Sequence, residues 1–216
     1  MFRLIVFDLD GTLVDSRRDI ADAANELLVA CGGSPLPVEQ VGRMVGEGVG
    51  VLVGRAFAAA GIVAPPDALA RFLAIYDAHL LRHTRPYDGI PGALEALGRR
   101  APLAVLTNKP LAATRKVLDG VGLAGFFPPE RVLGGDGPQP RKPDGAGLRQ
   151  LAAAAHIETA QTVLVGDSLI DWQTARDAGS GICLASYGFG FEGFPTKSFE
   201  EGVLVVGSPN ELPHVL

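Results

Sequence analysis

Cysteine is nearly absent: only Cys31 and Cys183 occur among 216 residues. Two cysteines exclude a disulfide framework and fit a reducing cytosol, where both thiols pack as small hydrophobes. Long apolar runs are missing too, and no stretch approaches the roughly 18–20 residues that cross a bilayer. The N-terminus carries no cleavable signal pattern, because chemistry-bearing residues begin at Asp8. Lysine and arginine form no cluster and the formal net charge is −5, which argues against a nucleic-acid surface. An acidic chain still binds phosphate when a divalent cation stands between the two. The expectation is a cytoplasmic protein without membrane or nucleic-acid partners, monomeric or homodimeric. What the chain does have is apolar mass: 47% hydrophobic residues and a mean hydropathy of +0.24. That describes a well-buried globular chain with room for one large domain, or for a core plus a modest insertion.

Apolar runs of strand character recur at residues 4–7, 103–106, 162–165, 181–184 and 203–206. Amphipathic patterns lie between them at 91–98, 111–121, 146–155 and 169–178. Strand and helix in alternation imply a parallel sheet with helices on both faces, an α/β Rossmann-like core. The interval 15–85 breaks the rhythm, with helical patterns only, near 38–45, 49–60 and 67–82. It opens on Ser16-Arg17-Arg18-Asp19, read as a capping box with Asp in place of Glu, and an apolar stripe at Ile20, Ala23, Leu27 and Cys31. The predicted organisation is a core of residues 1–14 and 86–216 with an inserted all-helical cap domain at 15–85. Its two crossings fall near 13–15 and 85–91.

The most informative segment is Asp8-Leu9-Asp10-Gly11-Thr12, directly after the first apolar run. Open parallel sheets bind ligands beyond the carboxyl ends of their strands. Two carboxylates one residue apart point the same way while the chain is extended, and Gly11 permits a sharp turn. A calcium loop would need glycine at its sixth position and glutamate at its twelfth, where Leu13 and Asp19 stand. A plain polar turn is the other reading, and the rest of the chain speaks against it. After the second run comes Thr107-Asn108-Lys109-Pro110, a hydroxyl and an amide suited to phosphoryl oxygens ahead of a helix N-terminus. After the third comes Gly166-Asp167-Ser168, with Asp171 one helical turn on, and Lys142 opens the helix between.

These residue types suit phosphoryl transfer. Asp8 is the candidate nucleophile and Asp10 the candidate general acid and base. Lys142 neutralises charge, while Thr107 and Asn108 orient the equatorial oxygens. Mg²⁺ is expected on hard oxygen ligands drawn from Asp8, Asp10, Asp167 and a backbone carbonyl. Ser168 either supports Asp167 or caps the following helix, and Asp171 is a supporting carboxylate.

Asp8-Leu9-Asp10-Gly11-Thr12-Leu13, Thr107-Asn108, Lys142-Pro143 and Gly166-Asp167-Ser168-x-x-Asp171 stand in the order found in the haloacid dehalogenase-like hydrolases, which this chain resembles over essentially its whole length. Within that family it looks most like the phosphoglycolate phosphatases, on the stretch Val45-Gly46-Glu47-Gly48 and the linker Pro86-Tyr87-Asp88-Gly89-Ile90-Pro91-Gly92. The resemblance implies that the second carboxylate, Asp10, separates phosphatases and mutases from dehalogenases. One departure is Gly145, where relatives usually have proline after the acidic residue; it is expected to loosen that helix start.

The glycines 46, 48, 50 and 54 fail the G-x-G-x-x-G spacing and follow no strand, so they read as a cap loop, with Arg43 or Glu47 as candidate substrate contacts. His79 and His83 lack a third ligand and read as exposed. Lys109 and Lys116 read as surface charges, although Lys109 is near enough to the phosphate loop to add positive potential. Trp172 reads as packing. The expected activity is hydrolysis of a small phosphorylated metabolite, 2-phosphoglycolate first. The alternatives are a phosphosugar mutase, another small-molecule phosphatase on the same site, or a non-catalytic binding protein that kept the fold.

Overall fold

The computed structural model describes residues 2–191, 194 and 202–216. Six strands form one parallel sheet: β1 (Leu4–Phe7), β4 (Leu103–Leu106), β5 (Val132–Leu133), β6 (Thr162–Gly166), β7 (Gly181–Ala185) and β8 (Leu204–Val206). Their spatial order is β5-β4-β1-β6-β7-β8. The chain therefore runs outward from β1 through β4 to β5, then returns to the other side of β1 for β6. That reversal puts a crevice beside β1, the place where doubly wound sheets hold ligands. Register levels the strand ends, since Phe7 pairs with both Val105 and Val165.

Side-chain alternation along β1 explains why all four of its residues are buried. Leu4 and Val6 pack with Leu148 and Leu151 of α7 (Ala146–Ala154) and Ala175 of α8 (Leu169–Ala178). Ile5 and Phe7 face the opposite layer, with Leu94 and Leu97 of α5 (Ile90–Gly98) and Val117 and Leu118 of α6 (Leu111–Gly120). Burying such a side chain is worth roughly 1.5–3 kcal/mol, against a net of about 0.5–1.5 kcal/mol per hydrogen bond. Packing on both faces thus outweighs strand pairing in holding the sheet.

The interval between the first two sheet strands holds α1 (Arg17–Ala30), α2 (Val38–Gly42), α3 (Val49–Ala59) and α4 (Ala68–His79). Their apolar faces join the layer under Phe7 in one continuous cluster through Leu9, Leu13, Ile20, Leu27 and Phe72. The two crossings are not bare connections. Val14–Asp15 (β2) and Arg85–Pro86 (β3) pair antiparallel as a small ribbon, closed by Tyr87 N–H donating to Leu13 O at 3.1 Å.

Two local expectations are corrected. Ser16 sits at the N-cap of α1 but makes no side-chain cap bond; its hydroxyl donates to Asp10 Oδ1 at 2.5 Å. Asp19 does not complete a capping box either. Fully buried, it accepts from the N–H groups of His83 (2.9 Å) and Thr84 (2.9 Å) and from Thr84 Oγ1 (2.7 Å). The carboxylate faces the returning chain, whose buried donors would otherwise be orphaned, and that outweighs a solvent-side cap. Gly145, in turn, does not loosen the start of α7. A Cβ there would stand 2.7 Å from Ala178 N, and Gly145 N–H donates to Asp177 Oδ2 at 2.7 Å, a bond proline cannot make. Glycine here lets α7 start hard against the end of α8.

Asp19→Ala should lower the unfolding free energy by about 2–4 kcal/mol, since it leaves the His83 and Thr84 donors beside the returning crossing without their acceptor. Urea denaturation followed by circular dichroism measures it; a loss below about 0.5 kcal/mol would remove Asp19 from the structural account.

Candidate active site

The loops after β1, β4 and β6 converge at the crevice with the one that leads into α7. Asp8 extends β1, its N–H donating to Val165 O at 2.8 Å. Gly11 turns the chain at φ +92°, and a Cβ on it would lie only 2.0 Å from Asp167 Oδ2. Glycine is therefore what lets the loop after β1 close onto the end of β6. Asp167 accepts from Thr12 Oγ1 at 3.3 Å and from Gly190 N–H at 2.7 Å.

Lys142 enters from the loop before α7, next to a cis peptide bond to Pro143. Its Nζ is 2.9 Å from Asp8 Oδ1 and 2.6 Å from Asp171 Oδ1. Asp171 Oδ2 accepts from Ser168 N–H (3.1 Å) and Ser168 Oγ (2.6 Å), and Ser168 caps α8 in return. Both oxygens of Asp171 are thus engaged by protein donors, and that carboxylate aims the ammonium at Asp8. Burial raises Asp8 to about 6 despite the pull of Lys142, with Asp171 and Asp10 adding to the rise. Burial, and then the charges of Asp171 and Asp8, raises Asp167 well above the ordinary carboxylate range.

Oxygens of Asp8, Asp167 and Asp171 all lie within 4.8 Å of one another. Among the described residues three carboxylates face one buried ammonium, so that the ionised cluster is short of positive charge there. Asp8 Oδ1, although beside Lys142, has no aligned hydrogen-bond donor. An all-oxygen, buried, electron-rich donor set with a free lone pair fits a hard divalent cation. Asp10, expected among the metal ligands, has its side chain outside this cluster; Asp171, expected as a supporting group, lies within it. The reason is local: Asp10 is claimed by Ser16 and by Lys109, whose Nζ donates to both of its carboxylate oxygens at 3.0 Å.

Lys109 is not a surface charge. It is 7% exposed, and its Nζ also donates to Tyr76 Oη of α4 at 2.6 Å, lying 4.6 Å from that ring's centre. Asp10 and Tyr76 hold it more firmly protonated than a free lysine, against the cost of burial. Tyr76, buried beside it, is raised to about 12. The sequence signal for Lys109 was its place directly after Thr107-Asn108; nothing in the helical pattern of α4 distinguished Tyr76 from core.

Thr107 and Asn108 are buried at the end of β4. Asn108 Nδ2 donates to Gly46 O (2.8 Å) and Lys142 O (2.9 Å), while its Oδ1 has no partner among the described residues. Together with Asp8, Asp10 and Lys109 these two floor a cleft of about 610 Å³, its open mouth included. Its other wall comes from the insertion and, apart from the Tyr76 hydroxyl, is apolar: Val45, Val49, Leu52, Phe72 and Leu73. The loop 45–49 does reach the site, but through backbone and aliphatic groups. Arg43 is exposed and does not line the cleft, and Glu47, also outside it, pairs with Arg55. His79 is buried against Glu26 at 2.8 Å, whereas His83 is exposed, so the two share no site. Lys116 pairs with Asp77 on the surface, and Trp172 packs against the α7–α8 layer.

Comparison with known proteins agrees with this geometry. The sequence model of the haloacid dehalogenase-like hydrolases matches residues 2–179. A phosphoglycolate phosphatase of Rhodospirillum rubrum is 44% identical over 203 residues, 89% of this chain and 83% of its own. The plasmid phosphoglycolate phosphatase of Cupriavidus necator is 38% identical over 98% of this chain and 92% of its own. Among solved structures, that of a predicted phosphoglycolate phosphatase of Haemophilus somnus superposes with a TM-score of 0.90 at 28% identity, covering 99% of this chain and 97% of that one. With the crevice at β1, the acidic cluster and these relatives in agreement, the chain belongs to the haloacid dehalogenase-like hydrolase family.

Proposed function

We propose that this chain is a Mg²⁺-dependent phosphatase that hydrolyses a small phosphorylated metabolite, 2-phosphoglycolate first, through an aspartyl phosphate on Asp8. The observation that carries the reading is the placement of Asp8 at the sheet's switch point, with Lys142 at 2.9 Å and Asp10 two residues on, held from both sides. Relatives called phosphoglycolate phosphatases, at up to 44% identity, support the substrate.

In the first step Asp8 attacks phosphorus, the bond from phosphorus to the ester oxygen breaks, and Asp10 gives its proton to the departing alkoxide. In the second, Asp10 takes a proton from water, whose oxygen attacks phosphorus and releases inorganic phosphate and free Asp8. Asp8, Asp167 and a backbone carbonyl are the groups that would hold Mg²⁺, whose charge would offset the repulsion between a carboxylate and a phosphate dianion. Lys142, held by Asp171, adds fixed positive charge at the same place. Thr107 and the amide of Asn108 border the phosphoryl position.

Residues 15–85 act in this reading as a cap over a core of 1–14 and 86–216, contributing the wall that meets the leaving group. Apart from the Tyr76 hydroxyl that wall is apolar, which favours simple hydrolysis over a mutase: turning a phosphosugar in place requires polar contacts for its several hydroxyls. The free thiols of Cys31 and Cys183 are consistent with a cytoplasmic setting.

Asp8→Asn should retain the fold and lower kcat by on the order of 10⁴ or more, because an amide forms no acyl phosphate. Acid-quenched enzyme analysed by mass spectrometry should carry its phosphoryl group on Asp8. An active Asp8→Asn protein would end the mechanism.

Chelation should abolish activity and Mg²⁺ restore it, with Asp167→Ala raising the Mg²⁺ concentration for half-maximal rate by roughly 10-fold or more. Ca²⁺, larger and of higher coordination number, should inhibit. Full turnover in excess EDTA would show that Asp8 and Asp167 serve no metal.

A further inference from the structure

We propose that Lys109 and Tyr76 form the recognition site for a carboxylate on the leaving group, making them the residues that select a phosphorylated hydroxy acid over a neutral ester. The inference rests on the phosphatase reading above and adds to it the residues that would read the leaving group. Among the described residues lining the cleft, Lys109 is the one cation. It stands at the junction of phosphate floor and apolar wall, and when Asp10 carries the proton that it gives to the ester oxygen, the ammonium is left without the carboxylate charge that pairs it and is open to an anion of the substrate.

Position fixes what that anion is attached to. The ester oxygen that receives a proton from Asp10 must lie against the Asp10 carboxylate. Lys109 Nζ is 3.0 Å from both oxygens of that carboxylate. In 2-phosphoglycolate the carboxylate carbon is two bonds from the ester oxygen, so it falls within reach of the same ammonium. Tyr76 supplies a second donor. Its Oη accepts from Lys109 at 2.6 Å, and its own hydroxyl proton has no acceptor among the described residues. A carboxylate in the cleft completes that bond. The apolar wall formed by Val45, Val49, Leu52 and Phe72 offers nothing to hydroxyls or amines, so the site answers one charge at one place.

A lysine that merely holds Asp10 would slow every substrate alike. The experiment therefore reads a ratio: kcat/KM for 2-phosphoglycolate over that for its uncharged amide, 2-phosphoglycolamide, with Mg²⁺ present. The wild-type ratio should be roughly 30-fold or more, the scale of a charge-assisted contact in a dry site. In Lys109→Met both rates fall by a shared factor through Asp10, and the ratio should collapse to about 1–3, mostly through KM for the acid. Tyr76→Phe, which removes one oxygen and keeps the ring, should lower the ratio by about 3–10-fold, and it carries the test if Lys109→Met does not fold. Calorimetric titration of Asp8→Asn with the acid and the amide should show the same preference without turnover. An unchanged ratio in Lys109→Met, or in Tyr76→Phe where only that variant folds, overturns the proposal. A wild-type enzyme that hydrolyses acid and amide equally also overturns it while leaving the phosphatase reading intact; hydrolysis of neither, nor of p-nitrophenyl phosphate, would instead sink that reading.

Discussion

Three carboxylates buried within 4.8 Å of each other are the constraint from which the rest of this molecule follows. Two like charges about 4 Å apart repel by roughly 4 kcal/mol at the effective dielectric of a protein interior, and burial adds a further cost to each. One ammonium, Lys142, does not balance that. The surrounding elements are arranged to hold the charges together regardless. Gly11 has no Cβ to collide with Asp167, Thr12 and Gly190 donate to it, and Asp171 is fixed by the cap of its own helix. Such a cluster is stable only where the scaffold over-determines it. The scaffold here is a strand buried on both faces between two parallel neighbours.

The insertion is tied to the same centre by a second, separate network. Ser16, one residue past the outgoing crossing, donates to Asp10. Tyr76, near the end of the last insertion helix, reaches Asp10 through Lys109. Asp19 then joins the start of α1 to the returning chain at Thr84. The orientation of Asp10 and the position of the helices are consequently one variable: displacing α4 withdraws a partner from Lys109. This coupling is made of hydrogen bonds between named groups and needs no long-range pathway.

How far the sequence could be read depended on whether a residue's neighbours in space were also its neighbours in the chain. The strands of residues 4–7, 103–106 and 162–166 were legible because both-face burial leaves an unbroken apolar run. Strand β5 was not, since two residues carry no period. Asp8, Lys142 and Asp167 stood out because carboxylates and lysine at strand and helix termini of an α/β pattern have few structural uses. Ser16 and Asp19 were misread as a cap because their spacing fits one; their true partners are 6 and 64 residues away. Lys109 was misread as exposed because its burial is created by Tyr76, 33 positions earlier in an element whose placement no local pattern specifies. Arg43 and Glu47 illustrate the converse. Neither of these charged residues lines the cleft, to which the loop contributes Val45, Gly46, Gly48 and Val49 instead.

The two halves of the cleft divide their labour by different physics. The sheet side binds by attraction, through charge and donors collected at strand ends, and any phosphate ester can satisfy it. The helical side works largely by refusal. A hydroxyl pressed against Val49, Leu52 or Phe72 loses its water without gaining a partner, at about 1–3 kcal/mol each. Under the proposed function, a sugar phosphate carrying several hydroxyls would meet that cost with little contact to offset it. Against that background the Lys109–Tyr76 pair proposed above would be enough to mark the leaving group. The chemistry of this family can be written in a few residues at strand ends, whereas the inserted helices bring to the cleft a mostly apolar surface with the Tyr76 hydroxyl as its polar exception.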